Sequence, residues 1–178
     1  GDVAISLAKN IPTSQIVGID LSEEMLKVGQ QKIERLGVKS NIRLLCEDAE
    51  TLSLPSNSFD VVTISFGIRN FEDIDKGLSE FYRILREGGS LFVMEFSTPK
   101  HKVFNVLYRF YSKYILPVIG QVISKDNKAY TYLPESIVEF YQDDEFTELL
   151  QNKGFINCTA ISLTNGIAHI YIGVKPKL

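Results

Sequence analysis

Cysteine is scarce in this sequence. The 178 residues contain two, Cys46 and Cys158. They stand far apart and form no Cys-x-x-Cys unit, so a reduced, cytoplasmic chain with two structural thiols is expected. Histidine is equally rare. His101 and His169 are isolated and lie in no ligand-spaced motif, so no metal site is expected. Long apolar runs are missing too. No stretch reaches the ~18 apolar residues of a membrane span, and none has the pattern of a signal peptide. Positive charge is not in excess. A formal net charge of −3 and a pI near 5.5 give no general pull towards nucleic acid, which is not expected as a partner. There is no internal repeat, low-complexity tract or clear linker. What is present, 44% hydrophobic and 23% charged residues, is the composition of an ordinary globular domain, and the length favours one domain over 1–178.

The chain opens on "GDVAISLAKN", a Gly-Asp turn running into helix-like residues. "SQIVGIDLS" reads as a short strand ending in Asp20. A helix then begins at Ser22, with Glu23 and Glu24 in its first turn. Leu26, Gly29, Ile33 and Leu36 recur at helical spacing, and Gly37 supplies a stop. "NIRLLCEDAE" is a second strand and an acidic loop. "LPSNSFDVVTISFG" is a turn and a buried strand, Phe59 to Ser65. Asp73 and Asp75 start a helix whose buried face is Leu78, Phe81, Tyr82 and Leu85, and Gly88-Gly89 ends it. "SLFVMEFS" is another buried strand. Phe146, Leu149 and Leu150 mark a last helix, closed by Gly154. "FINCTAISL" and "IAHIYIGV" flank Asn165-Gly166, a hairpin signal, so the final strand must run antiparallel to its neighbour.

This order predicts an α/β, Rossmann-like fold: a mostly parallel sheet, covered on both faces, with an antiparallel C-terminal hairpin. That combination is characteristic of S-adenosylmethionine-dependent methyltransferases. Residues 99–134, punctuated by Pro99, Pro117 and Pro134, are the least regular part.

In open α/β sheets, ligands bind at the carboxyl ends of the strands. Asp20 ends the first strand and can accept hydrogen bonds from both hydroxyls of a ribose, or simply cap the next helix. Asp48 beside Ala49 can hold an adenine amino group while leaving room for the ring, or belong to a plain acidic loop from Glu47 to Glu50. Ser65 ends the strand "VVTISF", where a ligand contact and an ordinary strand-end serine are both open. Arg69 and Asn70 lie in "GIRN", on a loop between a buried strand and a helix. A guanidinium there can stabilise a phenolate and an amide can orient a ring hydroxyl. The alternative is an Arg69 paired with Asp73 or Asp75.

"RILREGGSLFVMEFS", Arg83 to Ser97, resembles a signature of the ubiquinone/menaquinone biosynthesis C-methyltransferase family. "TISFGIRN" is similar to that family's "TISFGLRN", and "YTYLPESI" and the closing "GVKP" match its C-terminal pattern. The resemblance covers essentially the whole chain. Glu87 replaces the usual Pro before Gly-Gly, and Tyr171 stands where many relatives have His. "GDVAISLAK" resembles the end of the family's Gly-x-Gly-Thr-Gly-Asp motif, with Gly1 as its last glycine. The strand and glycines before it are absent, so the sequence reads as a truncated piece of a longer protein.

The resemblance implies methylation of a ring carbon of a prenylated quinol, with S-adenosylmethionine as cofactor. It puts the cofactor contacts on Gly1, Asp20, Asp48, Ala49 and Ser65. Aligning methyl and ring carbon near ~3 to 3.5 Å supplies ~7 to 11 kcal/mol of the barrier. Arg69 and Asn70 are the catalytic candidates: Arg69 to stabilise the phenolate, both to hold a water that takes its proton. In "VFNVLYRFYSKYILPVIGQVI", Phe104, Leu107, Tyr108, Tyr111 and Ile115 share one helical face, with Asn105, Arg109, Ser112 and Lys113 opposite. It is either a cover for the prenyl tail, a peripheral membrane contact, a helix packed on the sheet, or a homodimer interface. A non-catalytic binding partner in a quinone-synthesis assembly is the alternative function. A nicotinamide-dependent oxidoreductase is disfavoured by the hairpin and the Gly-Gly signature.

Overall fold

The computed structural model describes residues 1–38, 41–98, 140–141 and 143–177. The expected cover or membrane segment at 99–134, with His101, the three prolines and "YTYLPESI", lies outside them. The chain forms two compact units, Gly1–Ser53 and Leu54–Leu178.

The first unit runs α1 (Asp2–Asn10), β1 (Ile16–Asp20), α2 (Glu23–Arg35) and β2 (Ile42–Cys46). β1 and β2 pair in parallel, with Asp20 opposite Cys46. Ser22 caps α2 as expected, its hydroxyl accepting the Met25 N–H, and Gly37 leaves the helix at φ +69°. Ile5, Ala8, Ile33 and Ile42 form the core, with Ile16 and Leu44 packed against it. Leu36, the last of the residues at helical spacing, is exposed, because it lies past the last helical turn as the C-cap. Asp2 pairs with Lys32 at 3.0 Å and ties α1 to α2, and this bond holds the Asp2 carboxyl below its ordinary value.

The second unit contains β3 (Phe59–Ser65), α3 (Ile74–Ile84), β4 (Leu85–Phe96), α4 (Asp143–Asn152), β5 (Ile156–Leu163) and β6 (Ala168–Val174). Its sheet has the order β3-β4-β6-β5. β3 and β4 are parallel, while β6 runs antiparallel to both β4 and β5. The hairpin turns at Thr164–Gly166, with Asn165 at φ 55° and Gly166 at φ 90°, the left-handed geometry that Asn-Gly tolerates.

One face of this sheet is closed. Leu91, Val93, Glu95 and Tyr171 are fully buried there, as are Leu78 on α3 and Phe146 and Leu150 on α4. Phe146 packs on Tyr171 at 4.7 Å. The other face, through Phe92, Met94, Ile170 and Ile172, is half-buried among the described residues. Two expectations change here. β3 keeps its predicted bounds but is not buried: Asp60, Val61 and Thr63 are exposed, because β3 is an edge strand of this sheet. α3 stops at Ile84, before the Gly-Gly pair. Leu85 is extended and fully buried against Phe59, and the carbonyls of Arg83 and Ile84 accept from Asn57 and Ser58 instead of a further helical turn. Gly88-Gly89 then belongs to β4, bonded to Lys175 through both Gly88 N–H and Gly89 C=O. Tyr82 is only half-buried, its ring edge-on to Phe155 at 5.1 Å.

Candidate functional site

The candidate residues divide between the units. In the first, Asp20 ends β1 and Asp48 follows β2, at the carboxyl ends of two paired parallel strands. Asp20 is exposed, and its Oδ1 accepts the Ser22 N–H at 2.9 Å, which turns the chain into α2. Its other oxygen has no partner among the described residues and retains acceptor capacity. Asp48 is half-buried; its Oδ1 accepts the Glu50 N–H at 2.9 Å and its carbonyl accepts Thr51 N–H. Ala49 beside it is half-buried. Neighbouring Glu47 turns back on Ser53, whose hydroxyl and N–H hold its carboxyl below the ordinary value. Both expected carboxylates are thus fixed by one oxygen each. Free carboxylate lone pairs suit the hydroxyl and amino donors of a nucleoside.

Gly1 is the N-cap of α1. A side chain there would stand 3.2 Å from Gly29 Cα, so a larger residue would need α1 and α2 to give by a few tenths of an ångström.

In the second unit, Ser65 ends β3 opposite Met94 and is half-buried. Phe66 follows in the left-handed region at φ 56°, its N–H bonded to Met94 C=O at 2.8 Å. A single helical turn, Ile68–Asn70, is anchored by fully buried Ile68. Asn70 is exposed and its N–H closes the turn onto Gly67.

Arg69 does not pair with Asp73 or Asp75. Asp73 caps α3 through Lys76 N–H, which lowers its carboxyl, and Asp75 binds Lys153. The Arg69 side chain, 10% exposed, instead meets the fully buried Glu95, Nη1 to Oε1 at 2.6 Å. Nη1 also donates to Phe66 C=O at 2.8 Å. The guanidinium lies 5.6 Å from the Phe96 ring centroid, and that ring stacks on Phe66 at 4.3 Å. Arg69 Nε is buried and has no acceptor among the described residues. A buried donor in that state costs free energy until an acceptor arrives. The arrangement is therefore a fixed cation with one unsatisfied buried donor beside two aromatic rings, at the carboxyl ends of β3 and β4.

Glu95 was missed by sequence reasoning. Leu91, Val93, Glu95 and Ser97 alternate along the buried face of β4, and a carboxylate in such a register needs a cation.

The ubiE/COQ5 methyltransferase family model matches residues 1–175. A Bacteroides fragilis protein named demethylmenaquinone methyltransferase is 41% identical over 98% of this chain and 71% of its own length. A Geotalea daltonii protein named ubiquinone/menaquinone biosynthesis C-methyltransferase UbiE is 43% identical over 98% of this chain and 74% of its own length. Among solved structures, an S-adenosylmethionine-dependent methyltransferase from Thermotoga maritima superposes with TM-score 0.65 at 19% identity, covering 97% of this chain and 77% of that one.

Proposed function

The chain belongs to the ubiE/COQ5 methyltransferase family, and from that premise we propose how its residues divide the work of quinol C-methylation. It is a methyltransferase of quinone biosynthesis whose methyl donor is S-adenosylmethionine and whose acceptor is a ring carbon of a prenylated quinol. The donor supplies an electrophilic methyl group on a sulfonium, so the protein's tasks are to hold, align and manage one proton.

Asp20 receives the ribose hydroxyls, and Asp48 receives the adenine amino group with Ala49 leaving room beside it. Gly1 and Ser65 complete the cofactor contacts. Arg69 serves the quinol: its guanidinium sets a fixed positive charge near the hydroxyl oxygen next to the reacting carbon and favours the ionised form of that oxygen. A guanidinium stays protonated at neutral pH, so it is not the base. Asn70 and Arg69 hold the water that takes the proton. A prenylated substrate brings with it a cytoplasmic enzyme in peripheral contact with the membrane, and a homodimer is the assembly to look for.

The observation that carries this reading is the Arg69 guanidinium, held by Glu95 and the Phe66 carbonyl on the turn that follows β3, in a chain of this family. The test is methyl transfer from radiolabelled S-adenosylmethionine to demethylmenaquinol and to the corresponding benzoquinol. Labelled quinone extracted into organic solvent, lost in Arg69→Gln, is the expected result. Full transfer by Arg69→Gln would remove Arg69 from the mechanism.

A further inference from the structure

We infer that Glu95 is a positioning residue for the methyl transfer: it holds the Arg69 guanidinium in one fixed orientation at the carboxyl ends of β3 and β4. The inference rests on the reading of Arg69 given above.

Glu95 is fully buried on the closed face of β4, between Val93 and Ser97, with His169 opposite it on β6. A carboxylate in such a place is costly unless it is paired and hydrogen-bonded. Here it grips one residue at both ends. Oε1 accepts from Arg69 Nη1 at 2.6 Å and from Phe96 N–H at 2.9 Å. Oε2 faces the Arg69 backbone N–H at 3.4 Å. Phe66 C=O takes a further bond from the same Nη1. Both Nη1 hydrogens are therefore committed inside the protein, while the buried Nε has no acceptor among the described residues. The guanidinium cannot turn without breaking a buried ion pair, so its orientation is set by Glu95 rather than by the substrate.

Glu95→Gln keeps the side-chain length and the Nη1 acceptor but places an amide N–H₂ against the Arg69 N–H, donor against donor. Glu95→Asp keeps the charge but withdraws it by one methylene. Both variants, Arg69→Gln and the double variant Arg69→Gln/Glu95→Gln are compared in the full chain. The measurements are kcat and KM for the quinol, calorimetric affinity for S-adenosylmethionine, and melting temperature.

The expected result for Glu95→Gln is a kcat reduced about tenfold to hundredfold, as misplacing a reacting group does, with cofactor affinity and quinol KM nearly unchanged. The double variant should be no slower than Arg69→Gln alone. If Glu95→Gln fails to fold, Glu95→Asp carries the test: a reduced kcat with an unchanged cofactor affinity supports positioning. Wild-type kcat in a folded Glu95 variant, with Arg69→Gln inactive, would overturn the inference and leave the role of Arg69 standing. Wild-type kcat in Arg69→Gln would instead overturn that role, and positioning with it. Equal losses in kcat, cofactor affinity and melting temperature would mark Glu95 as structural only, against the inference.

Discussion

Phe66 holds a backbone conformation that its own side chain resists. A bulky residue at φ 56° carries strain of about 1–3 kcal/mol, and it persists only where the surroundings fix it. The fixing contacts are all nearby: N–H to Met94, carbonyl to Arg69, ring on Phe96. Both Phe66→Ala and Phe66→Gly lose the stack, but only glycine relieves the strain. Phe66→Gly is therefore expected to be the more stable of the two by about 1 kcal/mol, the reverse of the usual order, as read from urea denaturation. At the two cysteines, burial pushes the Cys158 thiol up, whereas Cys46 is exposed. Iodoacetamide at pH 8 should label Cys46 first and Cys158 only slowly, by peptide mapping; equal rates would mean that Cys158 is not shielded. At this scale, Arg69 could be picked from the sequence, because a loop after a parallel strand is where ligands bind. Its partner could not. "SLFVMEFS" reads as apolar on both faces, and that reading hides the alternation that puts Glu95 among Leu91 and Val93 on the closed face.

At the scale of elements, local chemistry placed most boundaries. The Ser22 and Asp73 caps, the Asn-Gly turn and the Gly154 stop act within a few residues of themselves, so pattern alone finds them. Ser22→Ala should cost about 0.5–2 kcal/mol through loss of the α2 cap, measured as a shift in the denaturation midpoint. Non-local pairing defeated the pattern at two places. α3 ends where Asn57 and Ser58 capture its last carbonyls, which nothing inside the helix sequence announces. β3 reads as a buried apolar run, yet exposure depends on which strands flank it, and among the described residues only β4 does so in this unit. α3 also contains a steric constraint. A side chain on the buried Gly77 would come within 2.4 Å of the Phe71 ring, which itself packs edge-on to Phe81 at 6.1 Å. Gly77→Ala gains helix propensity but must displace that ring, so the net expectation is a loss of about 1–3 kcal/mol. A stabilised variant would show that Phe71 yields freely.

For the molecule as a whole, the division of candidate residues between two units has a consequence for function. Asp20 and Asp48 belong to Gly1–Ser53, and Ser65, Arg69, Asn70 and Glu95 belong to Leu54–Leu178. If the carboxylates hold the cofactor and the guanidinium serves the quinol, substitutions at Asp20 and at Arg69 should separate, although Ser65 in the second unit is itself a proposed cofactor contact. Asp20→Ala removes an exposed side chain whose one bond among the described residues is to Ser22 N–H, so the fold should survive. Loss of a charge-assisted acceptor costs about 1.5–3 kcal/mol, which corresponds to a weaker S-adenosylmethionine affinity by roughly one to two orders of magnitude. Arg69→Gln should leave that affinity within about twofold and appear in kcat, since its interaction is strongest when the quinol oxygen carries charge. Calorimetric titration of the cofactor into wild type, Asp20→Ala and Arg69→Gln, followed by single-turnover methyl transfer on the same samples, reads both quantities. A cofactor affinity lost equally in both variants would mean that Arg69 touches the cofactor as well. The assignment of the two strand ends to two ligands would then have to be abandoned.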